Sequence, residues 1–161
     1  MNIMETTEFY YPESPVVFEP EHHTYTLNDK QLSGVTAIVK WLFPDTYAGI
    51  PESVLKIAAD YGTLVHSKCE LADSLGIATE PIVQEYQRII KDAGLEVALS
   101  EYLVSDNQAI ASSIDKVFKD DSLGDIKTTS KVHEANVQVQ LSIYAYLYEL
   151  QTGIEDRKSV V

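Results

Sequence analysis

Residues 111 to 130 read ASSIDKVFKDDSLGDIKTTS, and the way this stretch folds decides the rest of the chain. Ile110, Ile114 and Val117 form an apolar strand pattern, and Asp120, Asp121 and Ser122 supply turn chemistry. A second strand is expected to follow, centred on Ile126. On it Asp125 and Lys127 would share one face while Ile126 turns into a core, because successive side chains on a strand point to opposite faces. Asp115 lies near the end of the first strand. A hairpin would bring it beside Asp125, since neighbouring strands run about 4.8 Å apart. Two carboxylates so placed suit one hard cation such as magnesium, with oxygens at about 2.0 to 2.1 Å. Lys127 would orient or deprotonate a water, or steady charge on a phosphate oxygen.

The Asp-x-Lys pattern alone carries little weight. Composition predicts roughly 1.6 acid-x-Lys triplets by chance, and the chain has two. The other, Asp156-Arg157-Lys158, reads as a solvated charge run, and by itself the pair Asp125 and Lys127 reads as a weak surface ion pair. Three further segments add to it. GTLVHSKCE, residues 62 to 70, falls in a helical pattern from about Glu52 to Leu75, with Leu55, Ala58, Ala59, Gly62, Val65, His66 and Cys69 recurring at three- and four-residue spacing. Gly62 costs such a helix about 1 kcal/mol against alanine, which fits a close approach by a ligand or another backbone, and His66 would project beside it. Taken alone, His66 reads as a satisfied core histidine. Leu99, Glu101 and Leu103 are expected on one face of an upstream strand, where a lone glutamate also suits an exposed edge. A helix from about His133 to Leu150 stacks Gln140 and Tyr144 at i, i+4, and core packing with a polar margin accounts for that as well.

In this order the segments resemble the PD-(D/E)XK nuclease superfamily, in its RecB-like and phage-type exonuclease branch, over about residues 22 to 150. The matching elements are Gly62-x-x-x-His66, Glu101, Ile114-Asp115, Asp125-Ile126-Lys127-Thr128 and Gln140-x-x-x-Tyr144. HTYTLNDKQLSGVTAIVKWLFP, residues 23 to 44, also looks like the entry segment of phage members, a short hairpin turning at Asn28-Asp29 and then a helix. The resemblance implies a restriction-endonuclease-like core and a Mg²⁺-dependent DNA nuclease, an exonuclease serving recombination or replication, with Mn²⁺ as a substitute metal. His66, Asp115, Asp125 and the Ile126 backbone carbonyl would hold the metal. Asp115, Asp125, Lys127 and Glu101 would be catalytic, while Gln140, Tyr144, Thr128 and Lys131 would lie along the DNA. DNA, a second copy of the chain, and a single-strand annealing or recombination protein are the implied partners. The chain departs from the pattern at Ser112 and Ser113, where relatives often carry glycine. It also stops at Val161, which suggests a minimal or C-terminally short domain.

Composition sets the outer limits. At 161 residues and 45% hydrophobic, the chain suffices for one domain with a real core. Residues 1–21, rich in tyrosine and proline, read as an irregular arm or an edge strand, and residues 22–161 as the domain. Helix, strands and helix in succession imply an α/β or α+β fold, a central mixed sheet flanked by helices. With no apolar leader and no membrane span, a cytoplasmic setting is expected, in a bacterial host or encoded by a phage. The single cysteine, Cys69, assigned to the core, excludes an intramolecular disulfide and a four-thiolate iron–sulfur cluster.

A net charge of -13 argues against nucleic-acid binding, which draws its affinity from Lys and Arg. The charge is uneven, however. Residues 1 to 30 hold six acids and one base, whereas residues 105 to 131 hold five acids and four bases. Lys116, Lys119, Lys127 and Lys131 are therefore expected to line a locally positive groove. Two other classes fit the same sequence: a catalytically inactive binding module on a nuclease fold, and an acidic interaction protein that mimics DNA.

Overall fold

A hairpin begins the sheet. Thr24–Leu27 (β2) and Lys30–Gly34 (β3) pair antiparallel, joined by Asn28 and Asp29 at φ 48° and 63°, the left-handed backbone that a two-residue hairpin turn demands. In this computed structural model residues 11–155 are described; Tyr10 and the Asp156-Arg157-Lys158 run lie outside them. Val17–Glu19 (β1) pairs with β2 at the sheet's end, so the described part of the N-terminal segment takes the edge-strand option. Its approach is anchored on the core by Pro12, whose carbonyl accepts the Tyr102 hydroxyl and, at 3.1 Å, Gln151 Nε2.

The helices fall where the sequence patterns put them. They are Val35–Leu42 (α1), Glu52–Leu75 (α2), Pro81–Asp92 (α3) and Glu134–Thr152 (α4). Pro81 sits in the first turn of α3, where its missing N–H has no partner to lose. Gly76 closes α2 in the left-handed conformation, its N–H bonded to the Ala72 carbonyl at 2.7 Å. Among the described residues no helix is long and apolar enough to cross a membrane.

Val97–Ser105 (β4), Ile110–Phe118 (β5) and Leu123–Gly124 (β6) complete a mixed sheet in the order β1-β2-β3-β5-β4, with β6 also on β5. β3 runs parallel to β5 and the other pairs are antiparallel. The chain is thus a single α+β domain, a mixed sheet flanked by helices. Two short strands share the edge of β5 that faces away from β4. β3 pairs with Ile110 and Ala111, and β6 with Lys116 and Val117, so Ser112 to Asp115 have no strand partner on that edge.

Two apolar clusters hold the layers. α4 lays Val137, Leu141, Leu147 and Tyr148 on Val104, Ile114 and Leu123 of the sheet, with Val35 of α1 beside them. A smaller cluster joins Val16, Tyr25, Leu32 and Ala111.

Three local expectations are corrected. First, the strand expected around Ile126 ends at Gly124, and Ile126 is only half-buried. The Asp115 carboxylate takes the Ile126 N–H at 2.7 Å and draws the backbone off the ladder. A side chain on Gly124 would stand 2.8 Å from the Phe118 ring, so glycine alone fits where the strand closes. Second, Leu99, Glu101 and Leu103 do not share a face: Leu99 packs on the larger cluster and Leu103 on the smaller. An irregularity between Val97 and Leu99 and a φ of 50° at Glu101 break the alternation. Third, Ala58 and Ala59 are exposed, and α2 is buried only along its second half, at Val65, Cys69 and Ala72.

Candidate metal centre

The expected residues meet around Asp115, near the end of β5. The turn from Lys119 to Ser122 folds the chain back, helped by Asp120 Oδ1 accepting the Ser122 N–H at 3.0 Å. Past Gly124 the backbone crosses the gap beside Asp115. The Ile126 N–H donates to Asp115, and the Ile126 carbonyl stands 3.0 Å from His66 Nε2, which reaches in from α2. His66 Nδ1 faces Glu101 Oε1 at 3.7 Å and Asp115 Oδ1 at 3.6 Å. One donor atom each from His66, Glu101 and Asp115 falls within 4.8 Å of the others, close enough to hold one metal ion.

Asp125 and Lys127 form the other half, built on α4. Lys127 Nζ lies 2.6 Å from Asp125 Oδ2 and donates to Gln140 Oε1 at 2.9 Å. Gln140 Nε2 donates to Asp125 Oδ1 at 3.0 Å and to the Tyr144 hydroxyl at 2.8 Å. Gln140 and Tyr144 are thus buried behind Asp125 and Lys127, with neither side chain open to solvent. Although Asp125 and Lys127 lie beyond the end of the strand, their side chains still converge. Asp125 Oδ2 is buried, and the Lys127 ammonium is its ion-pair partner.

Glu101 joins His66 and Asp115 in the compact donor group, and Asp125 acts on Asp115 through its charge. Burial, and then the Asp125 charge, push the Asp115 carboxyl up to about 7. Burial works against a charged His66 ring, but Glu101, Asp115 and the Ile126 carbonyl outweigh it and lift His66 to about 9. The imidazolium is therefore the cation that the carboxylates hold in the metal-free protein. Hard carboxylate oxygens with one imidazole fit a divalent ion such as Mg²⁺ or Mn²⁺. Glu101 adds a second sign of a specialised site. A non-glycine residue at φ 50° costs on the order of 1–3 kcal/mol, and such residues cluster where geometry serves a function.

The remaining site residues fall around this centre. Thr128 packs on α2, its Oγ1 3.4 Å from where a Cβ on Gly62 would stand, which identifies the close approach that the glycine permits. Lys131 is exposed in the loop before α4. At the departure from the pattern, the Ser112 and Ser113 hydroxyls meet the Tyr25 phenol, and Ser112 meets that of Tyr144.

The expected positive groove is corrected at two of its four lysines. Lys119 pairs with Glu96 at 2.6 Å. Lys116 is buried, donating to Asp73 and to Ser100, each at 2.7 Å, beneath a Tyr86 hydroxyl that also binds Asp73 at 2.8 Å. Sequence reasoning missed this network because a lysine in a strand reads as solvent-facing unless its carboxylate partner, here two helical turns beyond His66 on α2, can be placed in space. Three members lie next to a site element: Lys116 follows Asp115, Ser100 precedes Glu101, and Asp73 shares α2 with His66. Cys69 is buried, as expected.

Compared with protein-family models, curated proteins and solved structures, the chain finds no match in any of the three.

Proposed function

We propose that this chain is a divalent-metal-dependent nuclease of the PD-(D/E)XK type, hydrolysing DNA phosphodiester bonds, with an exonuclease role in recombination or replication. The reading rests on one observation: His66, Glu101, Asp115, Asp125 and Lys127, drawn from α2, β4, β5 and the segment after β6, converge around Asp115 of β5. A helix before these strands and a helix after them support the restriction-endonuclease-like order of elements. His66, Glu101 and Asp115 would hold the metal, with Asp125 at its rear. A divalent ion so bound neutralises charge on a scissile phosphate and makes a water more acidic.

The chain's own residues supply the rest. Lys127, its ammonium part-exposed and steered by Asp125 and Gln140, donates a hydrogen bond to a phosphate oxygen or orients the incoming water. Gln140 fixes both partners at once, so the Asp125 and Lys127 side chains keep one spacing through the reaction. Thr128 and Lys131 extend the surface on which a phosphate backbone would lie.

A second reading, an acidic protein that mimics DNA, is favoured by the net charge of -13 and by the withdrawal of Lys116 and Lys119 into internal ion pairs. One experiment separates the two. Purified protein is incubated with linear and circular DNA, with Mg²⁺ or with chelator. Metal-dependent loss of linear DNA alone fits the exonuclease, and loss of both substrates fits an endonuclease. If neither is cut under any metal, and the protein instead binds a basic partner, the nuclease reading is wrong.

A further inference from the structure

α2 presents to solvent an apolar stripe that no other element of the described chain covers. Only three of its 24 residues are buried. Val54, Ile57, Tyr61, Leu64, Leu71 and Leu75 are between 47% and 69% exposed. Their spacing is regular: steps of three, four, three, seven and four residues occupy the a and d positions of three heptads, and Lys68 takes the a position left over. A single lysine at an a position is a device by which coiled coils fix register. The stripe lies about half a turn round the helix from His66, so a helix seated on it leaves the metal centre open.

We infer that this stripe is the interface between two copies of the chain, packed antiparallel along α2. Three observations select a second copy as the occupant. The stripe is self-complementary. The antiparallel register that sets Leu64 of one copy against Lys68 of the other also sets Tyr61 against Leu71 and Ile57 against Leu75, and the two-fold axis repeats each pair. The Lys68 methylenes then cover Leu64, while its ammonium stays with Glu80, 2.7 Å away.

Charge points the same way. Two bodies of net charge -13 repel, so copies can meet closely only where acids are sparse. The open margin of the stripe is Ser53, Asp60, Ser67 and Ser74, and its one acid is paired with Lys56 at 2.9 Å. A basic protein or a nucleic acid would find there only charges already paired, Lys68 with Glu80 and Asp60 with Lys56. The size is also right. In this register residues 57–75 of the two helices overlap, a seam about 28 Å long, on the scale that buries roughly 800 Å² per partner in a standard interface.

Sedimentation equilibrium of the full chain tests the inference, and its readout is independent of any nuclease activity. The wild type is expected to sediment at twice the chain mass of 18.0 kDa. Tyr61→Glu with Leu64→Glu is expected to give a monomer with unchanged helix content by circular dichroism, since both side chains are already half in solvent. Lys68→Leu should keep the dimer. A wild type that stays monomeric at the highest soluble concentration overturns the inference, as does a dimer that survives the double glutamate substitution.

Discussion

The two walls of the candidate centre are built on different terms. α4 buries six side chains, and from that packed face Gln140 grips Asp125 and Lys127 with hydrogen bonds of 2.9 to 3.0 Å. α2 buries three side chains over a longer helix, and its His66 meets Glu101 and Asp115 only at 3.6 to 3.7 Å. One wall is therefore set by core packing before any ligand arrives. The other is held by charges that a bound cation would displace, so its geometry belongs to the ligand as much as to the fold.

The largest expected effect tests the packed wall's chemistry. Asp125→Ala should reduce DNA cleavage by at least about 10³-fold, in line with the loss of a central charge at a catalytic site, while circular dichroism shows the fold retained. Wild-type cleavage by that variant would remove Asp125 from the site. On the looser wall, His66→Ala should weaken Mn²⁺ binding by about 10-fold or more in calorimetric titration with little change in melting temperature. A large loss of stability with metal binding intact would make His66 a core histidine instead.

Acidity sharpens the same contrast. With His66 raised to about 9 and Asp115 to about 7, metal must displace protons, so Mn²⁺ affinity should climb as pH rises across that window. The metal-free protein should show the opposite trend. Between 3.8 and about 7 the folded chain keeps a proton on Asp115 that the unfolded chain has lost. Between 6.5 and about 9 the same holds for His66. These two groups therefore lower unfolding free energy as pH rises, and saturating metal should flatten the decline. Chemical denaturation with and without metal across the range reads both slopes, and an apo stability that rises through it would contradict the charge assignment. The smallest effect falls on the packed wall. Gln140→Leu should cost about 1–3 kcal/mol for buried partners left unsatisfied, a melting-point drop of several degrees.

Much of this was legible in the sequence, and the reasons are local. The helix limits at Glu52, Leu75, Pro81 and Asp92 follow from apolar period and from proline and glycine punctuation. The turn at Asn28-Asp29 follows from residues that tolerate positive φ. That Asp125 and Lys127 sit together was also readable, although for a reason other than strand alternation: an extended segment off the sheet and Gln140 do the work. What the sequence hid depends on distant partners. Nothing local marks Lys116 as buried, because its carboxylate lies 43 residues away. Nor does any local pattern mark Glu101 as the residue where β4 reverses its parity.

The interrupted edge of β5 has a further consequence. A continuous β-ladder is a wall of amides and carbonyls that satisfy one another; here two short strands stop on either side of four residues, and the chain crosses between them off the ladder, its Ile126 N–H spent on a carboxylate. Substitutions that lengthened β6 by one or two paired residues would draw that crossing onto the ladder. They would make the sheet more regular and take from Asp115 the amide that now holds it.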